Sequence, residues 1–214
     1  MIKTETNNSI IVQENNIYGE NQIVVKSNIY NQLMGLYSQA IEEVKKEIIE
    51  LQENCEIEHI KTRIKTPESI INKLKKRNCS LTYKNMVNNI NDIAGIRIVT
   101  KTENDVYKIR DRLEQNTNIS ILKEKDYIKD PKKSGYSSLH LITEVPIDTK
   151  KQRVYVKTEI QIRTAAMDMW SNLEHEIKYK SKSSISKIAS LKLVSYAKII
   201  NKIEKDMSEM YEEQ

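Results

Sequence analysis

Residues 153–163 read RVYVKTEIQIR. Alternation of apolar and polar side chains predicts a strand, with Val154, Val156, Thr158, Ile160 and Ile162 on one face. Tyr155, Lys157, Glu159, Gln161 and Arg163 take the other. A sheet face carrying Lys, Glu, Gln and Arg in a row is either a solvated outer surface or the floor of a polar cleft. Which of the two it is decides whether the sheet has a site.

Outward from this stretch, LHLITEV (139–145) reads as a strand, and so does ISILKEKDYI (119–128). DIAGIRIVT (92–100) is a buried strand followed by the helix ENDVYKIRDRLEQN (103–116). Residues 57–65 alternate, and at Thr66-Pro67-Glu68-Ser69 the period changes to that of a helix. Thr is the N-cap, Pro takes the first helical position and an acid sits in the first turn. Ile29, Leu33, Leu36, Tyr37, Ala40, Ile41, Val44, Ile48 and Leu51 mark one long amphipathic helix over about 29–54. A helix over 164–179 and a last one over about 188–211 follow. In the former, Ala166, Met169, Trp170, Leu173 and Ile177 form the expected core side, and Asp168, Ser171, Asn172, His175 and Tyr179 the polar side.

Strands alternate with helices, but two strand pairs follow one another directly. The expected fold is therefore α+β, a mixed sheet of about five strands flanked by helices, with long N- and C-terminal helices. Residues 1–28 read as a loose, Asn-rich arm with a short strand at QIVVK, 29–180 as the main domain, and 181–214 as a helical extension.

The chain has 214 residues, 35 Lys and Arg against 30 Asp and Glu, and a formal charge of +5. That mild excess suits a partner bearing phosphates without singling one out. Cys55 and Cys79 have no metal-like spacing and read as reduced thiols. The N-terminus lacks a signal peptide's apolar core and no run is long enough to span a membrane, so a cytoplasmic protein is expected.

Asp92 stands at the mouth of an otherwise apolar strand. It is either a turn residue or, with Glu159 on a neighbouring strand, half of a two-carboxylate clamp for Mg²⁺ and nucleotide phosphates. Arg63 and Lys65 share one face of their extended segment beside the free N–H groups of the next helix, and Ser69, Lys73 and Arg77 repeat along that helix. This reads as a triphosphate site or as a surface charge stripe. KKSGYSSLH (132–140) places Tyr136 in a glycine turn of a chain with no Phe and one Trp.

KKSGYSSLH, EIQIRTAAMDMWSNLEHEIKYK, RIKTPESIINKL and DIAGIRIV together resemble the synthetase domain of the RelA/SpoT alarmone family over roughly residues 30–180, and the length is similar to that of a small alarmone synthetase. The resemblance implies a nucleotidyltransferase-like fold and transfer of the β,γ-pyrophosphate of ATP to the 3′-hydroxyl of GDP or GTP, releasing AMP. The three histidines are followed by Ile, Leu and Glu, so the His-Asp dipeptide of the family's hydrolase domain is missing and synthesis without degradation is expected. By matching motif positions, the resemblance implies Asp92 and Glu159 as Mg²⁺ ligands, Glu159 also as base. It puts Arg63, Lys65, Ser69 and Lys73 on the ATP phosphates and Arg97 flat on adenine. Tyr136 is implied to stack on guanine, Gly135 giving its loop the freedom to do so, with Lys132, Ser134, His140 and Gln161 on the acceptor. Asp168 and Glu174 are two candidates for the guanine edge.

Two other readings stay open. Residues 177–203 carry seven lysines and no acid, which suits a tRNA 3′ end as acceptor through counterion release, or equally a solvated helix face or an oligomer contact. A non-catalytic nucleotide- or RNA-binding regulator is the third. The last helix bears an apolar stripe of Ile188, Ala189, Tyr196, Ile199, Ile200, Ile203, Met207 and Met210, Leu193 at its edge. It either joins copies into a homo-oligomer, a tetramer by resemblance, or folds back on its own domain. RNA is a candidate regulator.

Overall fold

In the computed structural model, which describes residues 22–25, 27–51, 55–180 and 187–212, the alternating stretch is the central strand of a five-stranded sheet. The strands are β1 (Ile57–Ile64), β2 (Ala94–Thr100), β3 (Ser120–Asp126), β4 (Leu139–Asp148) and β5 (Arg153–Thr164). They lie in the order β1-β2-β5-β4-β3. The β2–β5 pair is parallel and the others antiparallel, which makes the sheet mixed, as the succession of elements predicts.

Register fixes what the polar face presents, because paired residues on neighbouring strands share a side of the sheet. One row runs Lys61, Arg97, Gln161, His140, Lys125 across all five strands. The next runs Arg63, Gly95, Glu159, Ile142, Lys123. Residues that are remote in the chain thus become neighbours on one floor.

The opposite face is the core. α1 (Asn28–Leu51) lays Leu33, Tyr37, Ala40, Val44 and Ile48 against it, and α4 (Glu103–Gln115) adds Val106, Ile109 and Leu113. They meet Ile96, Ile98, Val156, Ile160 and Ile162, so two amphipathic helices cover one side and leave the polar side open. α2 (Pro67–Lys76) starts as expected: Thr66 Oγ1 accepts from the Ser69 N–H. α3 (Tyr83–Asn89) is an element that the periodicity does not announce. Seven residues are too few to show a period, although the Thr82 N-cap is a start signal.

Two expectations change. On α5 (Ala165–Lys180), Met169 and Leu173 are exposed, while Asp168 and Glu174 are buried beside Met167 and Trp170. The helix turns an acid, not its most apolar stripe, toward the sheet, because cations there neutralise it. The stripe of α6 (Lys187–Glu212) divides: Leu193, Ala197 and Ile200 pack on Trp170 and Tyr136. Ile188, Tyr196, Ile199, Ile203, Met207 and Met210 are exposed. The Trp170 indole N–H donates to the Leu193 carbonyl at 3.1 Å, so the helix does fold back on its own domain.

Most of the predicted arm, 1–21 and position 26, and most of the Ser/Lys break, 181–186, lie outside the described residues. Of QIVVK, Gln22 makes a single antiparallel bridge to Thr82, and Val24 and Val25 are exposed. Both cysteines are free thiols. No helix among the described residues is long and apolar enough to cross a membrane.

Candidate active site

The first edge of the floor is cationic. Lys65 continues the line of β1, and Lys73 stands two turns into α2. Their ammonium groups grip one carboxylate: Lys65 Nζ lies 3.0 Å from Asp92 Oδ2 and Lys73 Nζ 2.8 Å from Oδ1. Burial pushes the Asp92 carboxyl up, but the two lysines outweigh it and hold its pKa below the ordinary value. Arg63 lies across Gly95, where a Cβ would sit 3.3 Å from its side chain. A cavity of about 170 Å³ opens beside it, lined by Lys61, Thr62, Arg63, Gly95, Ile96, Arg97 and Gln161. Ser69 is exposed at the first turn of α2 and receives the Thr66 hydroxyl at 3.0 Å. Arg77 leaves this group and donates to the Asn89 carbonyl.

Glu159 stands opposite Gly95, three residues along from Asp92, and feels the Asp92 charge. Gln161 Nε2 donates to its Oε2 at 2.8 Å, and His140 Nδ1 is 3.3 Å from Oε1. Burial and Asp92 push the Glu159 pKa up, yet the hydrogen bonds win and it lies below the ordinary value. His140 goes the other way in charge: burial lowers its pKa despite the adjacent carboxylate, so its ring is neutral at pH 7.

That neutral ring belongs to a closed circuit. With Nδ1–H donated to Glu159, Nε2 accepts from the Tyr136 hydroxyl at 2.8 Å. The same hydroxyl accepts from Arg163 Nη2 at 2.9 Å, and Nη2 also reaches Gln161 Oε1 at 2.5 Å. Glu159, Gln161, Arg163, Tyr136 and His140 thus form one ring of hydrogen bonds with each donor and acceptor assigned. Tyr136 is half-buried; its ring lies edge-on to Tyr127 and His140, and Lys132 Nζ is 4.5 Å from both tyrosine centroids. Ser134 is half-buried in the same turn.

Gly135 has φ +90°, and a Cβ there would meet the Ala197 Cβ at 2.5 Å. The glycine is required both by backbone conformation and by the helix that crosses behind it. Asp168 bonds Arg97 Nη1 at 2.9 Å and lies 3.5 Å from Arg163 Nη1. Arg97, expected flat on adenine, therefore has an acid partner. Glu174 pairs with Lys178 Nζ at 2.5 Å; burial and then Lys125 lower the pKa of Lys132 in the Gly135 loop, and the Glu174 charge offsets this only in part.

Register puts Arg63, Arg97, Glu159, Gln161 and His140 on this face. Contacts tie Lys65 and Lys73 to Asp92, Lys132 to Tyr136, Tyr136 to His140 and Asp168 to Arg97 around it, and Ser69, Ser134 and Glu174 lie in the flanking turns and helix. Reading by residue type passed over Arg163, although it shares the alternating face with Glu159 and Gln161, and Tyr127, for which the sequence carries no signal. Asp92 and Glu159 are both held ionised, which is the oxygen chemistry that a hard divalent cation takes beside phosphate oxygens and water.

A family profile described as "Region found in RelA / SpoT proteins" matches residues 62–184. The chain is 45% identical over 151 residues, 71% of its own length and 72% of the relative's, to the GTP pyrophosphokinase YwaC of Bacillus subtilis. Its fold is similar to that of the small alarmone synthetase 2 from Bacillus subtilis, with TM-score 0.78, 38% identity and coverage of 88% of this chain and 100% of that one. Small alarmone synthetase 1 of the same organism, bound to its product pppGpp, matches with TM-score 0.78 and 28% identity over 87% of this chain and 98% of that one.

Proposed function

This chain belongs to the RelA/SpoT family, and we propose that it is a GTP pyrophosphokinase whose two nucleotides meet on the polar face of the sheet. The observation that supports the site is that two ionised acids feel each other's charge: Asp92, beside a lysine pair two residues ahead of β2, and Glu159, beside an aromatic loop on the adjacent β5. ATP takes the cationic edge, its phosphates against Arg63, Lys65, Ser69 and Lys73 and its adenine against Arg97. GDP or GTP takes the loop, guanine against Tyr136, with Lys132, Ser134, His140 and Gln161 around it and Asp168 and Glu174 behind.

The 3′-oxygen attacks the β-phosphorus of ATP in line, the bond from that phosphorus to the α,β-bridging oxygen breaks, and AMP leaves. Glu159 takes the 3′-hydroxyl proton; its depressed pKa leaves it ionised and ready to accept. His140 and Gln161 hold that carboxylate in place through their N–H groups. Bound at Asp92 and Glu159, Mg²⁺ would neutralise charge on the phosphates. Lys65 and Lys73, now on Asp92, are within reach of the same phosphates.

The exposed apolar residues of α6 suit contact with further copies, a tetramer by resemblance, and its exposed Lys192, Lys198 and Lys202 suit RNA as a regulator. The nucleotide substrates fit a cytoplasmic enzyme.

The test is a product analysis with ATP labelled on its γ-phosphate and Mg²⁺, offering GMP, GDP, GTP and tRNA in turn. AMP release with label on the 3′ position of a free guanosine nucleotide is the expected result. Label on tRNA alone would replace the acceptor, and nucleotide binding without AMP release would make the protein a regulator.

A further inference from the structure

Asp168 is 5% exposed and carries its charge among cations from three strands. One of its oxygens is shared. Oδ1 accepts from Arg97 Nη1 at 2.9 Å and stands 3.5 Å from Arg163 Nη1. Oδ2 accepts from Asn172 Nδ2, one turn along α5, at 3.1 Å and has Lys61 Nζ at 3.8 Å. Three cations thus face one acid, and two of them address the same atom.

The two arginines differ in freedom. Arg97 has a side chain 27% exposed at the edge of the donor cavity, whereas that of Arg163 is 1% exposed and fixed among Tyr136 and Gln161. Arg163 is also incompletely bonded. Among the described residues its Nε and Nη1 have no hydrogen-bond partner, although buried donors ordinarily find one. The nearest acceptor, Asp168 Oδ1, is held closer by Arg97, and the two guanidinium charges repel.

We infer that Asp168 couples the two nucleotide sites: adenine binding that draws Arg97 off Oδ1 hands this oxygen to Arg163, which then holds Tyr136 more firmly for guanine. Arg97 exchanges a carboxylate for the face of a base, a contact suited to a planar cation. Oδ1 closes on Arg163 Nη1 and gives that buried nitrogen its acceptor. Because Nη2 of the same group bonds the Tyr136 hydroxyl, the guanine platform loses freedom and binding the acceptor costs less ordering. Asp168 and Arg163 are positioning residues here. The inference rests on the assignment of adenine to Arg97 and guanine to Tyr136.

The experiment is calorimetric titration of GDP into the full chain with Mg²⁺, with and without α,β-methylene ATP, whose α,β bond does not transfer. The analogue should tighten GDP binding by about 5- to 150-fold, and in Asp168→Asn that ratio should fall to near one. Arg97→Met should bind GDP without the analogue about as tightly as wild type binds it with the analogue. A gain of affinity cannot arise from a damaged fold. The same ratio in wild type and Asp168→Asn, no gain in Arg97→Met, or no coupling in wild type overturns the inference. Wild-type protein that binds neither nucleotide would sink the proposed function and the coupling with it, whereas binding of both without coupling sinks the coupling alone.

Discussion

The two ends of the polar floor are built on different principles. The cationic edge, where we place ATP, is an array of long side chains on a strand and a helix that follow each other in sequence, Arg63 to Lys73, of which Lys65 and Lys73 are clamped on Asp92. The other end, where we place guanosine, is a largely buried ring of hydrogen bonds drawn from a loop and two strands, 136 to 163, in which neutral groups hold one carboxylate and one guanidinium in fixed geometry. A triphosphate is recognised by charge, which tolerates motion. Alignment of a 3′-hydroxyl requires position, which does not. The lysines of the first end suit the first task and the buried polar side chains of the other suit the second.

Substitutions should separate these designs, and the greatest loss should come where they meet. Glu159→Gln keeps the size of the side chain but removes the base and one of its two acceptor oxygens, so kcat should fall by about 10²–10⁴-fold, measured as AMP release at saturating nucleotides. A near-normal kcat would move the base elsewhere. On the acceptor end alone, Tyr136→Ala should raise the KM for GDP by about 5- to 150-fold, the worth of about 1–3 kcal/mol of stacking. The KM for ATP should change far less, and equal changes in both would erase the distinction between the ends.

On the ATP edge the tolerance should show. Gly95→Ala places a Cβ 3.3 Å from the Arg63 side chain. A flexible arginine evades it at about 0.5–1.5 kcal/mol of rotamer strain, so the KM for ATP should rise only roughly two- to tenfold.

The smallest expected effect is one of pH on stability. His140 is neutral in the folded protein, with its pKa depressed below 6.5 by burial. The unfolded chain therefore binds a proton first on acidification. The stability this histidine contributes is fully present above pH 6.5 and is lost as pH falls toward the folded pKa. Thermal unfolding followed from pH 7.5 to 5 should show a midpoint that declines with acid, and His140→Gln should flatten the decline. A slope unchanged by the substitution would remove His140 as its source.

How far the sequence alone carries the reader follows the same division. β5 was legible because period two needs only local alternation, and its burial obeys it from Arg153 to Ile162, breaking only at the buried Arg163. The start of α2 was legible because capping chemistry is local, as were the cations around it. Asp168 and Glu174 were harder to place: by helical periodicity Met169 and Leu173 should be inside, and only Arg97 and Arg163 from the sheet draw Asp168 inward, while Glu174 pairs with Lys178 one turn along its own helix. Arg163 itself was visible on the polar face, but no local pattern says that it sits beneath Tyr136. Gly135 reads as a turn glycine, while its second role, clearing the path of α6 at Ala197, depends on a contact 62 residues away. α3 escaped because its length falls below two turns.

The central claim is that both nucleotides meet over β2 and β5 between Asp92 and Glu159. A crystal structure of Glu159→Gln with Mg²⁺, α,β-methylene ATP and GDP tests it most directly. The account predicts triphosphate on Lys65 and Lys73, guanine on Tyr136, and the GDP 3′-oxygen in line with the β-phosphorus of the analogue. Nucleotides bound away from this face, or a 3′-oxygen turned from the β-phosphorus toward solvent, would contradict it.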